Sequence, residues 1–140
     1  MNIWLVDTGP LVAYLDSSET EHEQVGEVMD GFAGVLATTA AVVTEVMHFV
    51  RRVRYGAIAV SEFISQSGMR VHGMCEPADL QAASELMQRY TDTPMDFADA
   101  TLVLLAKRLA VSNILTLDRR GFNTYRLPDG TPFNLVIDNI

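Results

Sequence analysis

The sequence predicts an α/β fold, a single domain built on a central, mainly parallel sheet with helices on both faces. Three observations lead there. Short apolar runs alternate with longer segments of helical period, the pattern of parallel strands joined by helices. The chain has 140 residues, the length of one domain, and no linker, repeat or low-complexity stretch divides it. Hydrophobic residues make up 49% and charged residues 20%, which supplies a core and excludes disordered, collagen-like and coiled-coil chains.

The elements follow in order. Asn2–Val6 is rich in strand formers and stops at Asp7-Thr8-Gly9-Pro10, where proline suits a first helical position. A helix is expected over Leu11–Leu15. The polar stretch Asp16–Glu23 leads to a second helix through Val25, Val28, Met29 and Phe32. Val35–Ala37 is a weak strand candidate, and Thr38 or Thr39 can cap a helix over Ala40–Arg54. Gly56 separates that helix from another over Ile58–Ser67. Met69–Met74 is a strand candidate, and Pro77 opens a helix reaching Tyr90. Thr93-Pro94-Met95-Asp96 introduces a very apolar helix over Phe97–Ala110. Asn113–Leu117 is a strand ending at Asp118. Leu127 and Phe133 flank an Asp129-Gly130 pair, which suggests a hairpin.

The charge balance narrows the function. With 10 Lys and Arg against 18 Asp and Glu, the net charge is -8. A general polyanion binder is disfavoured, although a local basic rim around an acidic site stays open. Cys75 stands alone, so an internal disulfide or a cysteine zinc site is excluded. The first fifteen residues carry no Lys or Arg, and no apolar stretch approaches membrane-spanning length. The expectation is a cytoplasmic protein in a reducing compartment, with no membrane partner.

In open parallel sheets, ligands bind beyond the carboxyl ends of the strands. Asp7 and Asp118 each follow a predicted strand directly. Asp96 and Asp99 open the helix before the late strand, and Glu45 lies one and a half turns into the helix after the second strand. Structural accounts stand beside the functional ones. Asp7 can bond its own turn, Asp96 and Asp99 have capping-box spacing, and Asp118 can cap a turn before Gly121 or pair with Arg119 or Arg120. Glu45 has no Lys or Arg three or four residues away, so either a remote arginine or a bound cation must offset its desolvation. If Asp7, Glu45, Asp99 and Asp118 converge, mutual repulsion raises their pKa values. An oxygen-only donor set without His or Cys suits Mg²⁺ or Mn²⁺, and such ions assist phosphodiester hydrolysis.

The run Leu5-Val6-Asp7-Thr8-Gly9-Pro10-Leu11-Val12-Ala13-Tyr14-Leu15-Asp16 resembles the opening of a PIN domain. Thr38-Thr39-Ala40-Ala41-Val42-Val43-Thr44-Glu45 resembles its second acidic motif. Phe97-Ala98-Asp99-Ala100-Thr101-Leu102 resembles the third, and Leu115-Thr116-Leu117-Asp118-Arg119-Arg120-Gly121-Phe122 the fourth. The resemblance covers nearly the whole chain. It implies a three-layer α/β/α fold and a Mg²⁺- or Mn²⁺-dependent endoribonuclease, most often the VapC-like toxin of a toxin–antitoxin pair. Its metal and catalytic residues would be Asp7, Glu45, Asp99 and Asp118, with Asp96 as an additional acid. Thr8 would add a hydroxyl near the first aspartate, and Thr116 would orient Asp118. Residues 123–140 look longer than the family's minimal tail.

Arg119, Arg120 and Arg51 are the candidate phosphate contacts, although arginines closing a helix also complement its dipole. His22, His48 and His72 have no ligand spacing and read as structural. The expected partners are RNA, an antitoxin protein and a second copy of the chain. Two rival readings are a catalytically silent PIN module that binds RNA or protein, and a receiver-like domain phosphorylated on Asp7. The second normally wants an acidic pair after the first strand, where this chain has Asp7-Thr8.

Overall fold

The computed structural model of the protein describes residues 2–139. Five strands, β1 (Ile3–Val6), β2 (Val35–Thr39), β3 (Arg70–His72), β4 (Asn113–Leu115) and β5 (Asn134–Leu135), form one sheet. Their order is β3-β2-β1-β4-β5 and every pairing is parallel. Between them lie α1 (Thr8–Leu15), α2 (His22–Asp30), α3 (Ala40–Phe49), α4 (Gly56–Ser67), α5 (Pro77–Arg89), α6 (Phe97–Leu109) and α7 (Arg119–Thr124). A single 3-10 turn, Val136–Asp138, follows β5.

The order explains the layers. From β1 the chain steps outward to β2 and β3, then crosses back to β4 and β5 on the other side. Right-handed crossovers therefore put α1–α4 on one face and α5–α7 on the other. Consistent with this, α1 packs on α2 and α3, and α5 packs on α6. The core between the layers is filled by residues such as Leu5, Val42, Val46, Leu102, Leu105 and Ile114, all fully buried. The direction reverses between β1 and β4, which makes the crevice beyond their carboxyl ends the switch point where such sheets bind ligands. This order differs from the 2-1-3-4-5 arrangement of receiver-like domains, so the chain does not have that fold.

Several boundaries differ from the sequence expectation. The first helix starts at Thr8 rather than Leu11, because Asp7 serves as its N-cap. Pro10 then sits in the first turn, where an N–H has no helical acceptor. The third helix ends at Phe49, well short of Arg54. Val50 caps it, Tyr55 adopts a left-handed φ of 58°, and the chain folds back so closely that a Cβ on Gly56 would strike the carbonyl of Val50. The β4 ladder stops at Leu115, so Leu117 lies past the strand.

The tail forms no two-stranded hairpin. Leu127 and Gly130 close a tight turn, and one antiparallel bridge joins Arg126 to Pro132. The chain then lays β5 parallel beside β4, with Asn113 facing Asn134 and Ile114 facing Leu135. Phe122, Tyr125 and Phe133 pack edge to face beneath it.

Candidate active site at the switch point

Asp7 directly follows β1, and its backbone N–H extends the ladder to the carbonyl of Leu115 at 3.0 Å. The residue is 7% exposed. One carboxylate oxygen accepts from the Thr8 N–H (2.8 Å) and the other from the Thr116 hydroxyl (2.7 Å). The capping account of Asp7 is therefore correct, and it leaves the carboxylate facing the crevice. The same Thr116 hydroxyl accepts from the Asp118 N–H at 3.0 Å. Thr116 thus orients the carboxylate of Asp7, and it reaches Asp118 through the backbone N–H. That carboxylate is held instead by the Gly121 N–H at 3.0 Å, as the N-cap of α7.

Glu45 finds no remote arginine. Its partner is the Thr8 hydroxyl, which donates at 2.7 Å. Thr8 was expected beside the first aspartate, but its backbone serves Asp7 and its hydroxyl serves Glu45. The helix carrying Glu45 is fixed at its start by Thr39, which accepts from the Val42 N–H and lies 2.8 Å from the Thr101 hydroxyl. Thr101 spends its own proton on the Ala98 carbonyl (2.7 Å), so Thr39 must be the donor between them. This relay ties α3 to the start of α6. There Asp96 and Asp99 form a reciprocal capping box, with N–H donors at 2.8 and 3.2 Å.

These acids line one cavity of about 390 Å³. Its walls carry six carboxylates, those of Asp7, Glu19, Glu45, Asp96, Asp99 and Asp118, and no basic side chain. Val12, Phe49 and Leu117 supply its apolar surface. The electrostatics follow from that composition. Burial, only partly offset by the Thr116 and Thr8 hydrogen bonds, pushes Asp7 up to about 6. Burial and then the charge of Asp7 push Asp99 up to about 8. Glu45 is also raised, by burial first, against the lowering effect of its bond from Thr8. Each group would gain from a cation between them, and the donor set is all hard oxygen, so its chemistry fits Mg²⁺ or Mn²⁺. As the side chains stand, no three His, Cys, Asp or Glu among the described residues are arranged to hold a metal ion. Asp7, Asp96, Asp99 and Asp118 each also commit an oxygen to a backbone N–H.

A family model described as PIN domain matches residues 4–127. The chain belongs to the PIN domain family. Ribonuclease VapC26 of Mycobacterium tuberculosis is 33% identical over 134 residues, covering 94% of this chain and 98% of that protein. The crystal structure of VapC20 from the same organism, described as a toxin cleaving the sarcin–ricin loop, has a TM-score of 0.75 at 22% identity. It covers 84% of this chain and 91% of that one, a likeness of fold. The family match stops at Leu127, just before the turn that leads to β5.

In this PIN domain the three arginines singled out from the sequence do not line the acidic cavity. Arg119 pairs with Asp138 at 2.9 Å, and Arg51 folds back on the carbonyl of His48 at 2.7 Å. Arg120 lies in the first turn of α7 and is exposed. Two lining residues escaped the sequence reading. Glu19 sits in a polar loop with no motif around it. Phe49 carries a helical period that reads as core, yet it is 57% exposed beside the acids. Among the described residues, no helix is long and apolar enough to cross a membrane.

Proposed function

We propose that this PIN domain is a ribonuclease that hydrolyses RNA phosphodiester bonds with Mg²⁺ or Mn²⁺, acting in the cytoplasm as the toxin of a toxin–antitoxin pair. The observation that carries this reading is a switch-point cavity lined by six carboxylates and no basic side chain, in which Asp7 and Asp99 hold their protons unusually tightly. The kinship with a protein named Ribonuclease VapC26 supports it. Asp7, Glu45, Asp99 and Asp118 would hold the ion, with Asp96 alongside. When bound, a divalent ion neutralises phosphate charge and acidifies water.

The chain's own residues do the positioning. Thr116 aims the Asp7 carboxylate and Thr8 aims Glu45. The Gly121 N–H holds Asp118. Without a cation, Asp99 keeps its proton at neutral pH because burial and Asp7 oppose its charge. Among the lining groups only Thr8 carries a hydroxyl, and its proton is engaged by Glu45, so water is the attacking group in this reading. The antitoxin is assigned to the exposed Phe49, Tyr55 and Ile58 around the α3–α4 junction, where Phe49 joins that surface to the acidic cavity. A homodimer is the expected state and is measurable by light scattering.

The direct test is cleavage of single-stranded RNA by purified protein. Activity should need Mg²⁺ or Mn²⁺ and fall more than about a hundredfold in EDTA or in Asp99→Asn. Undiminished cutting in EDTA would remove the metal from the mechanism, and no cutting under any metal would remove the nuclease.

A further inference from the structure

Beside the acidic cavity lies a larger one of about 520 Å³. The two share Glu45 and Asp96, so they form one depression divided by those carboxylates. The size falls within the range of roughly 300–1,000 Å³ typical of ligand pockets. Its walls come from the first turns of two helices, Ala40 and Ala41 of α3 and Phe97 and Ala98 of α6, with Thr44 and Cys75 completing the lining.

The lining selects a class of occupant. No Lys, Arg or His is present, while two carboxylates are. Helix N-termini ordinarily attract phosphate, but here Glu45 and Asp96 would repel it. A flat, neutral group with apolar faces and hydrogen-bonding edges suits what remains. First-turn N–H groups at Ala40, Ala41, Phe97 and Ala98 have no acceptor within their own helices and can donate to a ring nitrogen or carbonyl. The exposed Asp96 carboxylate can accept from an amino group, and the half-buried Phe97 ring offers a stacking face.

We propose that this cavity receives the nucleobase next to the scissile phosphate of single-stranded RNA, with Phe97 as its stacking platform. The inference rests on the ribonuclease reading: the shared Glu45 and Asp96 wall puts this cavity within one nucleoside's reach of a phosphate held among the acids. A base can enter only when unstacked from its own strand, so the cavity favours loops and single strands over duplex.

The test uses a single-stranded RNA oligonucleotide that the protein cuts, and two versions with an abasic ribose on one or the other side of the cut. The wild type should show a KM about tenfold higher for one abasic version and little change in kcat. Phe97→Ala should raise KM for the intact RNA by a similar factor and no longer distinguish that abasic version. Ala41→Trp, which fills the cavity, should behave alike. An independent readout is the exposed Cys75 thiol. In Asp99→Asn, which leaves the RNA uncut, the intact oligonucleotide should slow maleimide modification of Cys75 several-fold, and that abasic version should not. Equal KM for intact and both abasic RNAs, or a thiol rate indifferent to RNA, overturns the base pocket while leaving the nuclease standing. Failure to cut any RNA overturns the nuclease and this inference together.

Discussion

Thr116 donates its hydroxyl proton to Asp7 at 2.7 Å across 109 residues of chain, and with the same oxygen it accepts the Asp118 N–H. One buried side chain thereby sets the geometry of the two strand ends that flank the switch point. Thr116→Val keeps the shape but removes both functions. The Asp118 N–H loses its acceptor, so stability should fall by about 1–3 kcal/mol in denaturant melts. Asp7 loses a bond that lowers its pKa, so the acid limb of the pH–rate profile should move upward. An unmoved acid limb in a folded Thr116→Val protein would show that Thr116 does not tune Asp7.

The raised carboxylates of Asp7 and Asp99 favour the folded, metal-free protein at acid pH. Asp7 has a folded value near 6 against 3.8 in the unfolded chain, so the folded state binds more protons between those values. Its contribution is fully present below about pH 4 and is lost as pH rises through 6, a change of about 3 kcal/mol. Asp99 extends the loss toward pH 8. In EDTA the melting temperature should therefore fall from pH 4 to pH 8. Millimolar Mn²⁺ should reverse that slope, because binding to the folded state strengthens as the acids ionise. Asp99→Asn should flatten the slope in EDTA and raise stability at pH 8. A melting temperature that rises steadily with pH in EDTA would be incompatible with the repulsion argued here.

Gly121 is fixed by contact rather than by backbone angle. A Cβ there would collide with the Asp118 carboxylate and crowd the Tyr125 ring. Gly121→Ala should therefore turn Asp118 out of its place without unfolding the six-residue helix, which Phe122 anchors in the core. The expected result is a loss of divalent affinity of about 10–100-fold, read by calorimetry, with a stability cost of about 1–2 kcal/mol. Wild-type metal affinity in this variant would mean that Asp118 is not a ligand.

What the sequence made legible follows from range. Asp7 and Asp118 stand out because each ends an apolar run, and the run itself marks the strand. The Asp96–Asp99 box is local and is visible in its spacing. By contrast β5, two residues containing an asparagine, has no pattern of its own and exists because β4 offers it an edge. Helix α7, at six residues, is also short and carries a glycine. The pairing of Arg119 with Asp138 depends on where the tail returns, which removed Arg119 from the acidic cavity's lining. The end of α3 is hidden in the sequence because Val50 and Val53 continue its apolar period, while the left-handed Tyr55 and the close approach at Gly56 are tertiary facts. Which carboxylate each threonine serves is likewise a distance, and no one-dimensional spacing contains it.

Tyr125 links the two halves of the acidic cluster from below. Its ring packs edge to face on Phe122, in the helix that Asp118 caps, and its hydroxyl donates to the Pro94 carbonyl at 2.7 Å, two residues before Asp96. Burial and the surrounding acids push the phenol's pKa up, so it remains a donor at every working pH. Tyr125→Phe preserves the ring packing and deletes the bond. It should cost about 1–2 kcal/mol in stability. It should also weaken divalent binding a few-fold, because the loop carrying Asp96 and the first turn carrying Asp99 lose their tie to α7. Calorimetric titration of Tyr125→Phe with Mn²⁺ separates the two effects: a lowered melting temperature with unchanged affinity would make Tyr125 a packing residue only.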